Sequence, residues 1–178
     1  MNNLITTIDQ HELDPTVSTE DRDNYYVREA ARAVLSDDSG RIALMYVAKL
    51  DYYKLPGGGV EDGEDIKLAL ERELMEETGS EAIVTGEIGV VLEWRDFAKM
   101  KQMSYAYAAS LIGEAGKLNL TQEELDRGFE LRWAKDLNQA IEWVEAAKDN
   151  DDLGVVFMAM RDAAILRAYV SLLQGSLI

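Results

Sequence analysis

The chain has no cysteine and a single histidine among its 178 residues. Disulfides, a thiol nucleophile and thiolate metal sites are thereby excluded, and a cytoplasmic setting is expected. The one histidine, His11, stands in a polar N-terminal stretch and reads as a surface residue. Catalysis, if present, must rest on carboxylates, hydroxyls and cations. Long hydrophobic runs are missing too. Stretches such as Val155–Met160 fall far short of the ~20 residues that cross a bilayer. Met1–Pro15 has no basic cluster ahead of an apolar run, so neither a membrane partner nor a secretory signal is expected. Basic residues are scarce, 18 Lys and Arg against 34 Asp and Glu, for a net charge of −16. A surface this acidic repels phosphate backbones, which argues against a nucleic acid polymer as partner. Small phosphorylated molecules stay admissible, because bound divalent cations reverse the sign of a local site.

What is present is the composition of an ordinary globular protein, 47% apolar and 29% charged. The length suits one packed domain better than two. No repeat, low-complexity tract or Pro- or Ser-rich linker divides the chain. Residues 1–26, polar and without clear period, read as an N-terminal arm or a short edge element, and 27–178 as a single domain. Strands are expected at 26–35, 41–48, 82–95, 103–112 and 129–134, with a hairpin connection at 96–102. Alternation in the first of these places Arg28, Ala30, Arg32 and Val34 on one face. Helical periodicity covers 65–78, 136–147 and 152–173. The class is α/β or α+β, a mixed sheet with helices on its faces.

The helix at 65–78 is the informative one. Ile66, Ala69 and Leu70 begin an apolar stripe, which a buried helix would continue at positions 73 and 77. Those positions hold Glu73 and Glu77, with Glu76 beside them. Like charges at this spacing repel, and carboxylates turned toward a core need a partner. A divalent cation would supply one. Oxygen donors without nearby His or Cys favour Mg²⁺ or Mn²⁺ over zinc. The competing reading is a solvated acidic face, and the glycine-rich loop just before the helix weighs against it.

Loop and helix together run Gly58, five residues, Glu64, seven residues, Arg72-Glu73-Leu74, one residue, Glu76-Glu77, one residue, Gly79. This pattern resembles the signature of the Nudix hydrolases. The departure is Ser80, where the family usually has an aliphatic residue. Looser likeness, including Leu55-Pro56-Gly57-Gly58 and Glu130-Leu131-Arg132-Trp133, extends over roughly residues 28–145. The resemblance implies an α/β/α sandwich around a mixed sheet, with a loop–helix–loop motif. It also implies hydrolysis of a nucleoside diphosphate linked to another group: a nucleotide, a nucleotide sugar or ADP-ribose. Carried over by position, Glu73, Glu76 and Glu77 look like metal-binding carboxylates, with the Gly57 carbonyl as a further ligand. Arg72 is similar to the arginine that orients a motif glutamate, and Gly58 and Glu64 stand at supporting positions. A homodimer is common in the family.

Several points stay open at this level. The proton acceptor is Glu76, Glu77, Glu123 or Glu124, although the last two also read as first-turn acids after Thr121. Arg28 and Arg32 could meet a substrate phosphate or a protein carboxylate. Trp94, Tyr105 and Tyr107 could stack on a base, but aromatics alternating along strands more often belong to a core. The alternative to an enzyme is a non-catalytic, Nudix-like domain that senses a nucleotide without cleaving it.

Overall fold

The structure is a computed structural model that describes residues 3–175. Seven strands form one mixed sheet: β1 (Leu4–Asp9), β2 (Tyr26–Ser36), β3 (Ile42–Val47), β4 (Tyr52–Lys54), β5 (Ala82–Arg95), β6 (Met100–Leu111) and β7 (Phe129–Ala134). The helices are α1 (Gln10–Leu13), α2 (Ile66–Thr78), α3 (Gln122–Arg127), α4 (Leu137–Glu145) and α5 (Leu153–Gly175). The sheet order is β1-β5-β6-β2-β3-β4, and β7 pairs with the other edge of β3.

Alternation in the strands creates two apolar faces. On one, Ala31, Ala33 and Leu35 of β2 pack with Tyr105 and Tyr107 of β6 against Leu70 and Leu74 of α2. On the other, Val34, Leu44, Val91 and Ala108 pack against Val144 of α4 and Phe157, Ile165 and Leu166 of α5. The result is the expected α/β/α sandwich. Tyr105 and Tyr107 are thus core residues under α2.

Two features set up the site. First, β2 and β3 pair only at Ser36 and Ile42 and then diverge. The free edge of β2 is taken up by the glycine-rich loop. Ala33 N–H donates to the Pro56 carbonyl, Ala31 N–H to Gly58 and Val60 N–H to the Glu29 carbonyl. The loop is therefore held as an additional sheet edge rather than left free. Second, α2 is started by Asp65, whose carboxylate accepts from the N–H groups of Lys67 and Leu68, and is ended at Gly79, whose N–H returns to the Met75 carbonyl.

Of the two readings of residues 1–26, the edge element describes β1, which pairs in parallel with β5 at the sheet edge. Two expectations are corrected by the tertiary context. The strand expected from 103 begins at Met100, because Met100 and Lys101 already pair with both β2 and β5. The hairpin shrinks to a single turn of 3-10 helix, Asp96–Ala98, followed by Lys99 in the left-handed region. Ser80, the departure from the motif, has found a polar role, its hydroxyl donating to the Ile112 carbonyl at 2.8 Å.

Candidate active site

The motif helix carries its carboxylates at three depths. Glu77 is 1% exposed, whereas Glu73 and Glu76 are partly buried. Leu74, not position 73, continues the apolar stripe into the core beside Leu70. Glu77 lies on that same inward face, yet it is satisfied. Its Oε1 accepts from Lys54 Nζ at 2.7 Å and its Oε2 from Gly57 N–H at 2.6 Å. Burial pushes its carboxyl pKa up, against the pull of Lys54.

Arg72 organises the motif's outer side. Its Nε and Nη2 donate to the two oxygens of Glu64, its Nη1 to Glu73 at 2.9 Å and its Nη2 to the Gly59 carbonyl. The fork thus ties the loop to the helix and holds the Glu64 carboxyl below the usual carboxylate range. Glu76 is the least engaged of the three, with only Arg72 Nη1 nearby at 3.7 Å. Burial, then repulsion from Glu73, raises its pKa.

The glycines are steric requirements. A Cβ on Gly58 would sit 2.1 Å from Glu73 Oε1, and one on Gly57 would sit 2.2 Å from the Ala31 carbonyl oxygen. Gly57 also adopts φ +118°, a conformation strained for any other residue.

Among the described residues no three acidic or histidine side chains converge on one point. Arg72 draws Glu73 outward and Lys54 holds Glu77 inward. The donors nonetheless suit a hard divalent cation: three carboxylates within one helical turn, and the Gly57 carbonyl beside Glu77. The Lys54 ammonium already spans two of them, 2.7 Å from Glu77 Oε1 and 3.4 Å from the Gly57 oxygen. A cationic group therefore fits at this junction.

This helix borders a cleft of about 470 Å³. The cleft is lined by Gly57, Gly58, Gly59 and Glu73 of the motif and by Thr121, Glu123, Glu124 and Arg127 at α3. Its base is cationic: Arg32, Arg95 and Arg161 are buried there, and half-buried Arg28 stands at the rim. Arg28 Nη1 donates to Gln102 Oε1 at 2.7 Å, Gln102 in turn donates to Glu93, and Glu93 binds Arg95 at 2.6 Å.

Glu124 closes a capping box with Thr121, accepting from its N–H at 2.8 Å and its hydroxyl at 2.9 Å. Glu123 is 82% exposed, 3.7 Å from Arg127. Trp94 holds Arg22 and Lys101 over its ring, Tyr105 and Tyr107 lie on the α2 side of the sheet, and none of the three lines the cleft. The aromatic groups that do line it are Phe129 and Tyr52. Lys54, Arg95 and Arg161 were missed by the sequence reading. Lys54 precedes the recognised Leu55-Pro56-Gly57-Gly58 run by one position. Arg95 and Arg161 sit in apolar elements, and each has an acidic neighbour in sequence, Glu93 and Asp162, that makes it read as a local ion pair rather than as part of a site.

Residues 27–151 match the NUDIX domain, and the chain belongs to the Nudix family. An RNA pyrophosphohydrolase of Dinoroseobacter shibae is 38% identical over 74 residues, covering 40% of this chain and 44% of that protein. Nudix hydrolase 25 of Arabidopsis thaliana is 34% identical over 103 residues, covering 47% of this chain and 57% of that one. The chain thus spans about half the length of these curated relatives. The solution structure of the E. coli ORF135 protein superposes with a TM-score of 0.59 at 22% identity, over 84% of this chain and 93% of that one. A NUDIX hydrolase from Nitrosomonas europaea gives 0.59 at 17% identity, over 82% and 90%. Both share the fold. Nudix hydrolases generally use divalent metal ions. No helix among the described residues is long and apolar enough to cross a membrane.

Proposed function

We propose that the protein is a Mg²⁺- or Mn²⁺-dependent pyrophosphohydrolase that cleaves a phosphoanhydride bond in a nucleoside diphosphate linked to another group. The observation that carries this reading is one cleft lined by Gly57, Glu73 and the arginines Arg28, Arg32, Arg95 and Arg161, with Glu77 held behind it by Lys54 and the Gly57 N–H, and Glu76 beside Glu73 on α2. One side suits a cation and the other suits phosphate oxygens. Bound divalent cations would neutralise the diphosphate and acidify the attacking water.

The chain's own groups divide the remaining work. Lys54 and the Gly57 N–H fix both oxygens of Glu77, and Arg72 fixes Glu73. Glu76, free of a close partner, takes the proton from water as it adds to phosphorus. The P–O bond of the bridging oxygen breaks, releasing a nucleoside monophosphate and either pyrophosphate or a phosphorylated second group. A nucleotide-sensing role would not require a complete set of glutamates with their arginine.

The test is a nucleotide panel incubated with Mg²⁺, with products separated by ion-exchange chromatography. Diphosphate-linked compounds should be cut and excess EDTA should abolish turnover. Full turnover in EDTA, or AMP as the best substrate, would sink the proposal. If no diphosphate in a broad panel were cleaved, a binding domain would replace it.

A further inference from the structure

The charged side chains that the fold buries gather around this one cleft, although the chain as a whole carries −16. Six of them form three close pairs. Lys54 meets Glu77 at 2.7 Å, Arg95 meets Glu93 at 2.6 Å and Arg161 meets Asp162 at 2.6 Å. Arg32, 5% exposed, is the seventh, and among the described residues it has no carboxylate within ion-pair distance. Its Nε and Nη1 are buried without a partner in the protein, and so is Arg161 Nη2. Arg28, one pleat pair away on the same face of β2, donates to a neutral amide, Gln102, rather than to a carboxylate.

Unpartnered guanidinium N–H groups are costly to bury. Burial, then the neighbouring Arg161, takes the pKa of Arg32 down to about 10, which still leaves it charged at neutral pH. The strain is concentrated where two elements face each other, Arg32 on β2 and Arg161 on α5, both lining the cleft floor. Among the described residues, Arg28 and Arg32 form no ion pair, so two positive charges are left without a carboxylate in contact. Guanidinium forks match tetrahedral oxyanions, and two such charges match a dianion.

We propose that Arg32 and Arg161, with Arg28 at the rim, form an anion site for the terminal phosphate of the substrate. The preferred compounds are then those whose chain ends in a phosphate, such as nucleoside triphosphates, ahead of nucleotide sugars or ADP-ribose. This rests on the phosphoanhydride reading of the cleft. Enclosure supports a terminal group: Arg32 is 5% and Arg161 1% exposed. A phosphate substituted on both sides cannot end on an enclosed floor. Gly57, Gly58 and Glu73 of the motif line the same cleft as Arg32, so the anion would lie beside the motif.

Thermal unfolding of metal-free protein in EDTA, with and without inorganic phosphate, tests the site apart from any hydrolysis. Wild-type protein should gain about 3–6 °C once phosphate reaches about ten times its dissociation constant. Arg32→Met should unfold at a higher temperature than wild type without phosphate, since an unpartnered buried charge is gone, and should gain nothing from phosphate. The ratio of kcat/KM for a nucleoside triphosphate to that for a nucleotide sugar should fall at least ~10-fold in the same variant, in line with losing a charged hydrogen-bonded contact. No phosphate shift in wild type, an equal shift in Arg32→Met, or an unchanged ratio would each overturn the assignment. If Arg32→Met does not fold, Arg28→Gln serves, and it should at least halve the phosphate shift; an undiminished shift again overturns it. Phosphate binding without any hydrolysis would leave the site standing and remove only the catalytic reading.

Discussion

Glu77 looks from the sequence like one of three mutually repelling acids, so its neutralisation should relieve strain. The structure reverses that expectation. Its oxygens already satisfy a lysine and a backbone N–H that are themselves buried. Glu77→Gln should therefore lower stability by roughly 2–4 kcal/mol, because Lys54 is left as an uncompensated buried cation. It should also reduce kcat at least ~100-fold. Adding Lys54→Met to Glu77→Gln should restore much of the stability and none of the activity, as read by denaturant unfolding beside initial rates. A Glu77→Gln protein as stable as wild type would show that the ion pair contributes nothing. Glu76→Gln is the contrasting case. With no partner closer than 3.7 Å, it should keep stability within about 0.5 kcal/mol while losing turnover.

At the scale of elements, the loop and α2 work as one unit because Gly58 lets the helix carboxylate approach its backbone. Gly58→Ala should displace Glu73 and cut activity at least ~10-fold, since a misplacement near 1 Å is that costly. Circular dichroism should show the helix content preserved. A fully active Gly58→Ala would mean that Glu73 can act from elsewhere. A second joint ties the N-terminal strand to the rest. Arg22 binds Asp9 at the end of β1 at 2.6 Å and Asp96 after β5 at 2.8 Å. Hydrogen bonds from Arg22 hold both carboxyls below their ordinary value of 3.8. Depressed carboxyl pKa values give stability that is present above the unfolded value and lost as pH falls through the folded one. Stability contributed by this joint should thus be complete near neutral pH and fade below about pH 4. Arg22→Met should cost roughly 2–4 kcal/mol at pH 7 and show a smaller loss of stability between pH 5 and pH 3 than wild type. Parallel acid-dependence in the two proteins would refute the clamp.

At the scale of the molecule, a −16 surface surrounds a cleft whose floor is cationic. The similar Dinoroseobacter shibae protein is named an RNA pyrophosphohydrolase, so a 5′-triphosphorylated oligonucleotide is the informative substrate. Its end could enter the cleft, but the following phosphates would meet the acidic exterior. At low salt, kcat/KM for the oligonucleotide should lie below that for the matching nucleoside triphosphate. It should recover as ionic strength rises and the repulsion is screened. An oligonucleotide preferred at low salt would show that a local basic path overrides the net charge.

Five of the seven strands, the helices α2, α4 and α5, and the loop-and-helix motif from Gly57 to Glu77 were legible in the chain because each depends on local spacing, whereas the three-residue strand β4 is too short to show a period. Alternation makes strands, the i, i+3, i+4 stripe makes α2, and the loop-and-helix signature is contiguous. The early start of β6 and the incorporation of β1 were not, since both depend on pairing with strands far away in sequence. Tyr105 and Tyr107 belong to the core, the reading that alternation favoured. That Tyr52 and Phe129 line the cleft was not legible, because periodicity assigns residues to a face without saying what covers it. The partner of Glu77 lies 23 residues upstream. Arg32 and Arg161 meet only because β2 and α5 face each other across the cleft floor. Local sequence determined the motif loop and its carboxylates, and only tertiary packing could bring together the buried arginines that form the cleft floor.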